Sequence, residues 1–321
     1  MSILSKIRRQ LLPKDVNIEI DLIRNQYYLK LKREKVPVLV VSCLDSRVVS
    51  SGFADRIRGM ISCYAYAKAN DIPFRIEHIA PFDLSDFLVP NHYDWMLREG
   101  EKSYNLLYAN PVVFLQHTVS QRSMKLFRIR KNRQHHLYTN AEYIKEINSL
   151  FNRSYQFTEL YQELFKPSER LKNILAIPKE ELTSSGGYIS VSFRFMQLMG
   201  DFKDSHGITL SEGDRTDLLR RSLSIIENLF DQYHKRVLVT SDSQTFLNEA
   251  RQLDYVYVAP GKVGHIGHSQ DNAIVEKMLV DFLLISQADH VFMAHSGEMY
   301  RSNFARTAAL SSGAPYDEIS Y

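Results

Sequence analysis

From Tyr188 onward, short apolar runs alternate with segments that repeat apolar residues at helical spacing. Successive parallel strands need a crossover connection, and a helix between each pair of strands supplies one. The alternation therefore predicts a doubly wound parallel sheet covered by helices on both faces. The predicted elements are strand Tyr188–Phe195, helix Asp214–Tyr233, strand Arg236–Thr240, helix Ser243–Gln252, strand Tyr255–Val258, helix Asp271–Gln287, strand His290–Ala294 and helix Ser302–Ser312.

The first half of the chain opens with a similar alternation but is less regular. Its predicted elements are strands Pro37–Cys43, Pro73–Glu77 and Pro111–Gln116 and a helix over Met60–Asn70. Residues 135 to 175 are predicted to be mainly helical. The small, polar stretch at 182–187 is the best linker. We therefore expect two α/β domains, over residues 1–185 and 186–321.

Composition and charge restrict the class of protein. The 321 residues are 44% hydrophobic and 24% charged, which is typical of a globular chain with room for two domains. The formal net charge of +3 is too small to indicate a nucleic-acid partner. No apolar stretch could span a bilayer, the first residues lack the pattern of a secretory signal, and Cys43 and Cys63 fit reduced thiols. We expect a cytoplasmic protein.

Residues directly after the predicted strands carry the strongest chemical signal, because ligands of open parallel sheets bind beyond the carboxyl ends of the strands. Arg194 ends one such strand, and its planar guanidinium could bind a diphosphate or pair with Asp201 or Asp242. Asp242 could accept hydrogen bonds from a guanine base or cap the helix that follows it. The residues alone leave these alternatives open.

Two further segments suit a phosphate, because each precedes or opens a predicted helix with free backbone N–H groups. One contains Ser296 and Ser302, before the last helix, where ordinary helix capping is the alternative. The other is the glycine-containing turn at 52–59. Its charged residues are Asp55, Arg56 and Arg58. Glycine between a strand and a helix is also ordinary loop chemistry, so this segment has a structural alternative as well.

Metal-binding patterns are absent from the sequence. It contains no Asp-x-Asp, the spacing by which many nucleotide-sugar enzymes hold a divalent ion. His135 and His136 are adjacent, and His265 and His268 lack a nearby set of cysteines or carboxylates, so we interpret them as exposed loop histidines. We therefore expect no metal and no other cofactor.

Three separated segments resemble the fucosyltransferase superfamily that includes the α1,2-, α1,6- and protein O-fucosyltransferases. They are Gly52–Gly59 with the following Ala65–Ala69, Ile189–Arg194, and Ser302–Ala309. Thr240–Asp242 resembles a fourth segment of that family, and the order of the segments matches it. Two positions depart from the pattern. Ser192 stands where the family has histidine, and Ala54 stands where the first loop often has a second glycine.

The resemblance implies a GT-B fold, in which two Rossmann-like domains with parallel sheets face each other across a cleft. It implies that domain 1–185 binds the acceptor and domain 186–321 the donor, GDP-fucose, with inverting transfer that needs no metal. By position, it implies a donor site formed by Gly52, Asp55, Arg56, Arg58, Ser192, Arg194, Asp242, Ser296, Ser302, Asn303 and Phe304. The departures at Ser192 and Ala54 leave open a different nucleotide sugar.

Inverting transfer requires a base within hydrogen-bond reach of the acceptor hydroxyl. Asp201, in the loop after Arg194, is the predicted base, with Asp204 and Glu77 as alternatives. The expected acceptor is a glycan or a lipid-linked glycan of bacterial surface polysaccharide synthesis.

The basic run from Arg122 to Arg133 permits a different class of function. Phe127 lies within it and His135 and His136 follow it, as stacking on nucleic-acid bases would require. A solvated surface is the structural alternative, and contact with an anionic membrane is a third. The sequence therefore also permits a non-catalytic protein that binds nucleic acid or an anionic surface, although the transferase interpretation expects no nucleic acid.

Overall fold

The computed structural model describes residues 14–31, 33–44, 52–113, 132–184, 186–201, 209–264, 271–297 and 299–321. The chain divides into two compact units. The first comprises Met1–Leu84 and Val89–Lys166, and the second comprises Ser85–Leu88 and Pro167–Tyr321. The sequence analysis put the domain limit later, at 185/186, and those limits stay a prediction.

The first unit is built on a four-stranded parallel sheet. Its elements are α1 (Lys14–Gln26), β1 (Val40–Cys43), α2 (Phe53–Ala69), β2 (Phe74–Glu77), two of the three residues of β3 (Leu88–Pro90), β4 (Ala109–Val113), β5 (Gln134–Tyr138), α3 (Ile144–Phe151), α4 (Phe157–Leu164) and two of the three residues of β6 (Phe165–Pro167). The order in the sheet is β2-β1-β5-β4, while β3 and β6 form a separate two-stranded sheet. Every residue of β1 is buried, which is typical of a central parallel strand covered on both faces.

Residues 134–138 contradict the helix predicted there. They form β5, which pairs in parallel with both β1 and β4. All five residues are buried, and His135 and His136 are 1% and 0% exposed, so interpreting these two as exposed loop residues is wrong. The prediction failed because polar residues occupy the first three positions of the strand, so no apolar run marks it.

The second unit contains a five-stranded parallel sheet. Its elements are α5 (Glu169–Thr183), β7 (Tyr188–Phe193), α6 (Glu212–Tyr233), β8 (Arg236–Ser241), α7 (Gln244–Ala250), β9 (Val256–Tyr257), α8 (Asn272–Ser286), β10 (His290–His295), α9 (Phe304–Ser312) and β11 (Tyr316–Ser320). The order in the sheet is β11-β10-β7-β8-β9. Renumbered along the chain from β7, this is the order 3-2-1-4-5 read from β9, which is the order of a Rossmann sheet.

The predicted alternation after Tyr188 is confirmed element by element, with boundaries that shift by only a few residues. The strand β11 was not predicted. Its residues are exposed or half-buried, and it lies at an edge of the sheet, paired in parallel with β10. Such a strand has no apolar run for a sequence pattern to detect. The predicted α/β class with two parallel sheets is confirmed.

Candidate functional site

The strand order of the second unit places a crevice beside two of the predicted site residues. In a sheet with the order 3-2-1-4-5, the crevice lies where the connections diverge to opposite sides, which here is between β7 and β10. Arg194 directly follows β7, and Ser296 directly follows β10. The two loops also bond to each other, since the backbone N–H of Tyr300 donates to the carbonyl of Arg194 at 3.1 Å.

Arg194 is held at this edge by its neighbours in the sequence. Phe193 and Phe195 are 2% and 0% exposed, and both rings pack on Phe246 of α7, with centroid distances of 4.7 and 5.0 Å. The arginine side chain between them is 18% exposed, and its Nη1 lies 3.0 Å from Oδ2 of Asp242. This is its one ionic contact within the described residues, so most of its five N–H donors remain for a ligand.

Asp242 is buried and bonded to the loop that carries Arg194. Its Oδ1 accepts from the backbone N–H of Phe195 and its Oδ2 from that of Met196, each at 2.8 Å. Burial raises the pKa of this carboxyl, against the lowering effects of Arg194 and of the two amides. Met196 has a φ of 54°, in the left-handed region that non-glycine residues rarely adopt, and the bond to Asp242 stabilises that conformation.

These contacts decide two of the alternatives that the sequence left open. Arg194 pairs with Asp242 and not with Asp201. The helix after Asp242 is capped by Ser243, whose Oγ accepts from the backbone N–H of Phe246 at 3.1 Å. A role of Asp242 in reading a base stays a prediction. In the structure, Asp242 holds the loop that contains Arg194 through its bonds to Phe195 and Met196.

Asp201, the predicted base, is an exposed residue that bonds to the first turn of α7. Its Oδ1 accepts from the hydroxyl and the backbone N–H of Thr245 at 2.6 and 3.2 Å, and its Oδ2 accepts from the hydroxyl of Ser243. Asp201 therefore acts as a second cap of that helix. Its alternatives differ: Asp204 lies outside the described residues, and Glu77 bonds to Lys102 and Tyr104.

Ser192 and Ser296 are both engaged by neighbouring side chains. The hydroxyl of Ser192 lies 2.7 Å from that of Thr240, its register partner on β8. The hydroxyl of Ser296 accepts from Nη1 of Arg221 at 2.9 Å, and Arg221 also pairs with Asp217. Arg221 was not predicted, because it lies within α6 and not at a strand end. Its side chain contacts the loop after β10 because the fold brings α6 next to that loop.

The start of α9 places the predicted residues Ser302, Asn303 and Phe304 in one turn. Asn303 is the N-cap residue, but its side chain makes no capping bond. The hydroxyl of Ser302 accepts from the backbone N–H of Phe304 at 3.2 Å, and the Phe304 ring contacts Phe282 with centroids 5.6 Å apart. Ser302 therefore occupies one of the N–H groups at the start of α9, and the N–H groups that follow it in this first turn suit a phosphate.

The predicted residues of the first unit lie at the start of α2. Gly52 is its N-cap. Arg56 is 1% exposed and donates from Nη1 to the carbonyl of Ala80 at 2.8 Å, and burial lowers its pKa to about 10. Arg58 donates to Oδ1 of Asp55 at 3.1 Å. The structure therefore gives Arg56 and Arg58 protein partners, and their predicted contact with a donor stays a prediction.

The turn predicted at 52–59 is wrong, since α2 begins at Phe53 and Gly59 lies inside this helix. A Cβ atom at this position would overlap the carbonyl oxygen of Thr139 and lie 2.9 Å from the carbonyl carbon of that residue. The residue therefore allows α2 to pack directly on the backbone after β5. This is a packing requirement and needs no ligand.

A buried polar network in the first unit was also missed. The hydroxyl of Tyr27 lies 2.7 Å from Nδ1 of His136 and 3.0 Å from the hydroxyl of Tyr138. Nε2 of His136 lies 3.0 Å from Oε1 of Gln134. Burial lowers the pKa of His136 well below its ordinary value. A strand over 134–138 would have placed Gln134, His136 and Tyr138 on one face, since alternate residues of a strand share a face.

Some predictions lie outside the described residues. They concern most of the basic run, from Arg122 to Lys131, and the pair His265 and His268. Within the described part of the chain, no group of three or more histidine, cysteine, aspartate or glutamate side chains could hold a metal ion. No helix in that part is long and apolar enough to cross a membrane.

Comparison with known proteins identifies solved structures with a similar fold. No protein-family model matches the chain, and no curated protein matches its sequence. An arginine-to-lysine variant of Arabidopsis thaliana FUT1, crystallised with GDP, matches 98% of this chain and 76% of its own, with 15% identity and a TM-score of 0.59. NodZ α-1,6-fucosyltransferase soaked with GDP-fucose matches 86% of this chain and 92% of its own, with 15% identity and a TM-score of 0.54. NodZ from Bradyrhizobium matches over the same shares with a TM-score of 0.52. This chain therefore has the fold of GT-B fucosyltransferases.

Proposed function

We propose that this chain is a glycosyltransferase that transfers fucose from GDP-fucose to a hydroxyl group of a glycan. The observation that carries the proposal is the position of Arg194 at the crevice of a Rossmann-ordered sheet, in a fold shared with fucosyltransferases that were crystallised with GDP or soaked with GDP-fucose. A guanidinium with unused donors at that place suits a diphosphate.

At the anomeric carbon, the proposed reaction forms one bond and breaks one, and the proton of the acceptor hydroxyl passes to a base. The acceptor oxygen attacks the anomeric carbon from the side opposite the diphosphate, the bond from that carbon to the diphosphate oxygen breaks, and GDP leaves with the electron pair. Arg194 and the N–H groups at the start of α9 stabilise the negative charge that develops on the diphosphate. These groups supply the charge stabilisation in a transfer that inverts the anomeric centre without a metal.

Asp201 is the proposed acceptor of the proton from the attacking hydroxyl. It is an exposed carboxylate in the loop after Arg194, and the hydroxyl groups of Ser243 and Thr245 hold it in position. The remaining parts of the proposal are that the first unit binds a glycan or lipid-linked glycan, that the pathway is bacterial surface polysaccharide synthesis, and that the enzyme works in the cytoplasm.

Thermal unfolding in the presence of nucleotides tests the donor. GDP and GDP-fucose should raise the melting temperature, whereas UDP, CMP and ADP should not. A ligand at 100 times its Kd stabilises the folded state by about 2.7 kcal/mol. Stabilisation by another nucleotide alone would replace GDP-fucose with a different donor sugar. No effect of any nucleotide would contradict the transferase proposal.

Variants of Arg194 test the site. Arg194→Lys keeps a positive charge beside Asp242 but removes the planar donors, so it should fold normally and lose most of the GDP-induced shift. Arg220→Lys is the matched control, because Arg220 lies on α6 with its side chain 73% exposed. An undiminished GDP shift in Arg194→Lys would place the diphosphate elsewhere.

A further inference from the structure

We propose that residues 28–31 and 33–38 of the first unit form a docking surface for an anionic membrane. This surface, called here the 28–38 segment, is described except for residue 32. It follows α1 and precedes β1. Among its described residues, two leucines and three basic residues are exposed, and its single acidic side chain bonds to the body of the unit.

The leucines are exposed although the backbone beside them is fixed. Leu29 is 67% exposed and Leu31 is 93% exposed. Between them, the backbone N–H of Lys30 donates to Oδ1 of Asn105 at 3.3 Å, and its carbonyl accepts from Nδ2 of Asn105 at 2.8 Å. Asn105 itself is 0% exposed. The fold therefore holds the two leucines in solvent on an anchored backbone, an apolar exposure that the protein gains nothing from on its own.

The start and the middle of the 28–38 segment are anchored as well. Tyr28 bonds through its backbone N–H to the carbonyl of Tyr104 at 3.0 Å, and its own carbonyl accepts from Leu106 at 2.8 Å. The backbone N–H of Glu34 donates to the hydroxyl of Tyr108 at 3.1 Å. A surface with this many fixed backbone groups is ordered before it meets a partner, so docking would cost little conformational entropy.

The charge of the segment selects an anionic partner. Lys30, Arg33 and Lys35 are all exposed. Glu34 is half-buried and bonds to the body of the unit, since its Oε2 accepts from the hydroxyl of Ser103 at 2.7 Å and its Oε1 from Nδ2 of Asn105 at 3.1 Å. Basic side chains bind anionic headgroups while neighbouring leucines enter the boundary of the acyl chains. The two kinds of residue are therefore complementary to one partner.

Other partners explain only part of this surface. A nucleic acid would use the basic residues but gains nothing from two leucines. A second copy of the chain would use the leucines but would bring together two sets of like charges, and a stable protein interface buries roughly 800 Å² on each side. An anionic lipid surface accounts for both features. The inference is independent of the proposed transferase activity.

Flotation of the full chain with vesicles tests the inference. We expect binding to vesicles of 30% phosphatidylserine in phosphatidylcholine and little binding to phosphatidylcholine alone. The double variant L29S/L31S should reduce the bound fraction about tenfold, and the triple variant K30Q/R33Q/K35Q should do the same. Raising the salt concentration to 0.5 M should weaken binding by the parent chain, since salt screens the basic residues.

Matched variants separate the segment from general surface effects. L150S/I177S removes two other exposed apolar residues, 42% and 66% exposed, and K172Q/K179Q/R220Q removes three exposed charges elsewhere. Both should bind vesicles like the parent. Absence of binding by the parent, or binding that L29S/L31S leaves unchanged, would overturn the inference. Self-association lost in L29S/L31S, or binding of a single-stranded oligonucleotide lost only in the charge variant, would assign the surface to another copy or to nucleic acid.

Discussion

Arg56 in the first unit and Arg194 in the second were both predicted to bind a phosphate, and their environments differ. Arg56 is 1% exposed and donates to the carbonyl of Ala80. The Arg194 side chain, at the end of β7 where the strand order of the sheet reverses, is 18% exposed, and among the described residues its one ionic partner is Asp242. An arginine in a predicted phosphate site therefore indicates ligand binding only when protein groups do not already accept from its N–H donors. The comparison predicts that changes in the first unit affect stability, while changes at the edge of the second affect ligand binding.

The largest expected effect is that of Gly59→Ala. The added methyl group would overlap the Thr139 carbonyl, and backbone on both sides prevents relief, so we expect the first unit to lose about 4 kcal/mol of stability. The fluorescence of Trp95, the single tryptophan, reports unfolding of this unit because it is 2% exposed there. Chemical denaturation followed at this residue measures the change.

The control for that change is Gly213→Ala. Gly213 lies in the first turn of α6, and no atom lies within 4 Å of the position its Cβ would take. Its replacement should be neutral or stabilise by up to about 1 kcal/mol in thermal unfolding followed by circular dichroism. If Gly59→Ala were equally harmless, the close packing of α2 on the segment after β5 would be wrong.

A pH dependence should follow from His78, the buried neighbour of Arg56. Burial and the Arg56 charge lower its pKa to about 4 from an ordinary 6.5. Between these values the unfolded chain binds a proton that the folded chain does not. Stability is therefore complete above pH 6.5 and falls as the pH drops to 4, by about 3 kcal/mol from this residue. The pKa of His136 is also lowered by burial and adds in the same direction.

His78→Gln tests this assignment. Nδ1 of His78 donates to the carbonyl of Phe82 at 3.1 Å, which leaves Nε2 to accept from Arg56, so the folded protein holds the neutral ring. Without a titrating group, the Trp95 transition should depend less steeply on pH between 6.5 and 4. The exposed His92 serves as control, and His92→Gln should leave the slope unchanged. An unchanged slope in His78→Gln would show that the ring is protonated in the folded state.

Asp242→Asn examines the other side of the comparison. An amide can accept from only one of the two N–H groups of Phe195 and Met196, and it removes the charge beside Arg194. We expect a loss of about 2 kcal/mol together with a weaker GDP-induced shift in melting temperature. Asp217→Asn, an exposed residue paired with Arg220 and Arg221, should change stability by less than about 0.5 kcal/mol. If GDP raised the melting temperature of Asp242→Asn as much as that of the parent, Asp242 would not belong to the GDP site.

The sequence predicted most of the fold of the second unit, because its buried strands are apolar runs separated by helices. It failed where a strand is buried but polar, as in Gln134–Tyr138, and where it is an exposed edge, as in Tyr316–Ser320. In both places, contacts with other strands decide the structure, and a local pattern cannot contain them.

Prediction of the site had a similar limit. Strand ends can be read from the chain, and this located Arg194, Asp242 and Ser296. What the sequence could not supply is the partner of each side chain. Asp242 bonds to a loop forty-six and forty-seven residues away, and Arg221 reaches Ser296 across seventy-five. Whether a charged group is used by the protein or left for a ligand depends on such distant contacts.

The smallest expected effect on stability separates the two interpretations of Asp201. As a helix cap, it bonds to Ser243 and Thr245 at the start of α7, and Asp201→Ala should cost about 1 kcal/mol in chemical denaturation. As the proposed base, the same change should lower kcat for fucosyl transfer by about 10² to 10⁴. Ser243→Ala is the matched control, because it removes another cap of the same helix.

The loss of kcat relative to the loss of stability decides between the two roles of Asp201. If Asp201 only caps α7, Asp201→Ala and Ser243→Ala should reduce stability and kcat by similar amounts. If it also accepts the proton, kcat should fall far more in Asp201→Ala than in Ser243→Ala. In Asp201→Asn the amide oxygen still accepts one capping bond, but the group cannot take a proton. Normal turnover in Asp201→Asn would therefore show that Asp201 is not the base and that its role is structural.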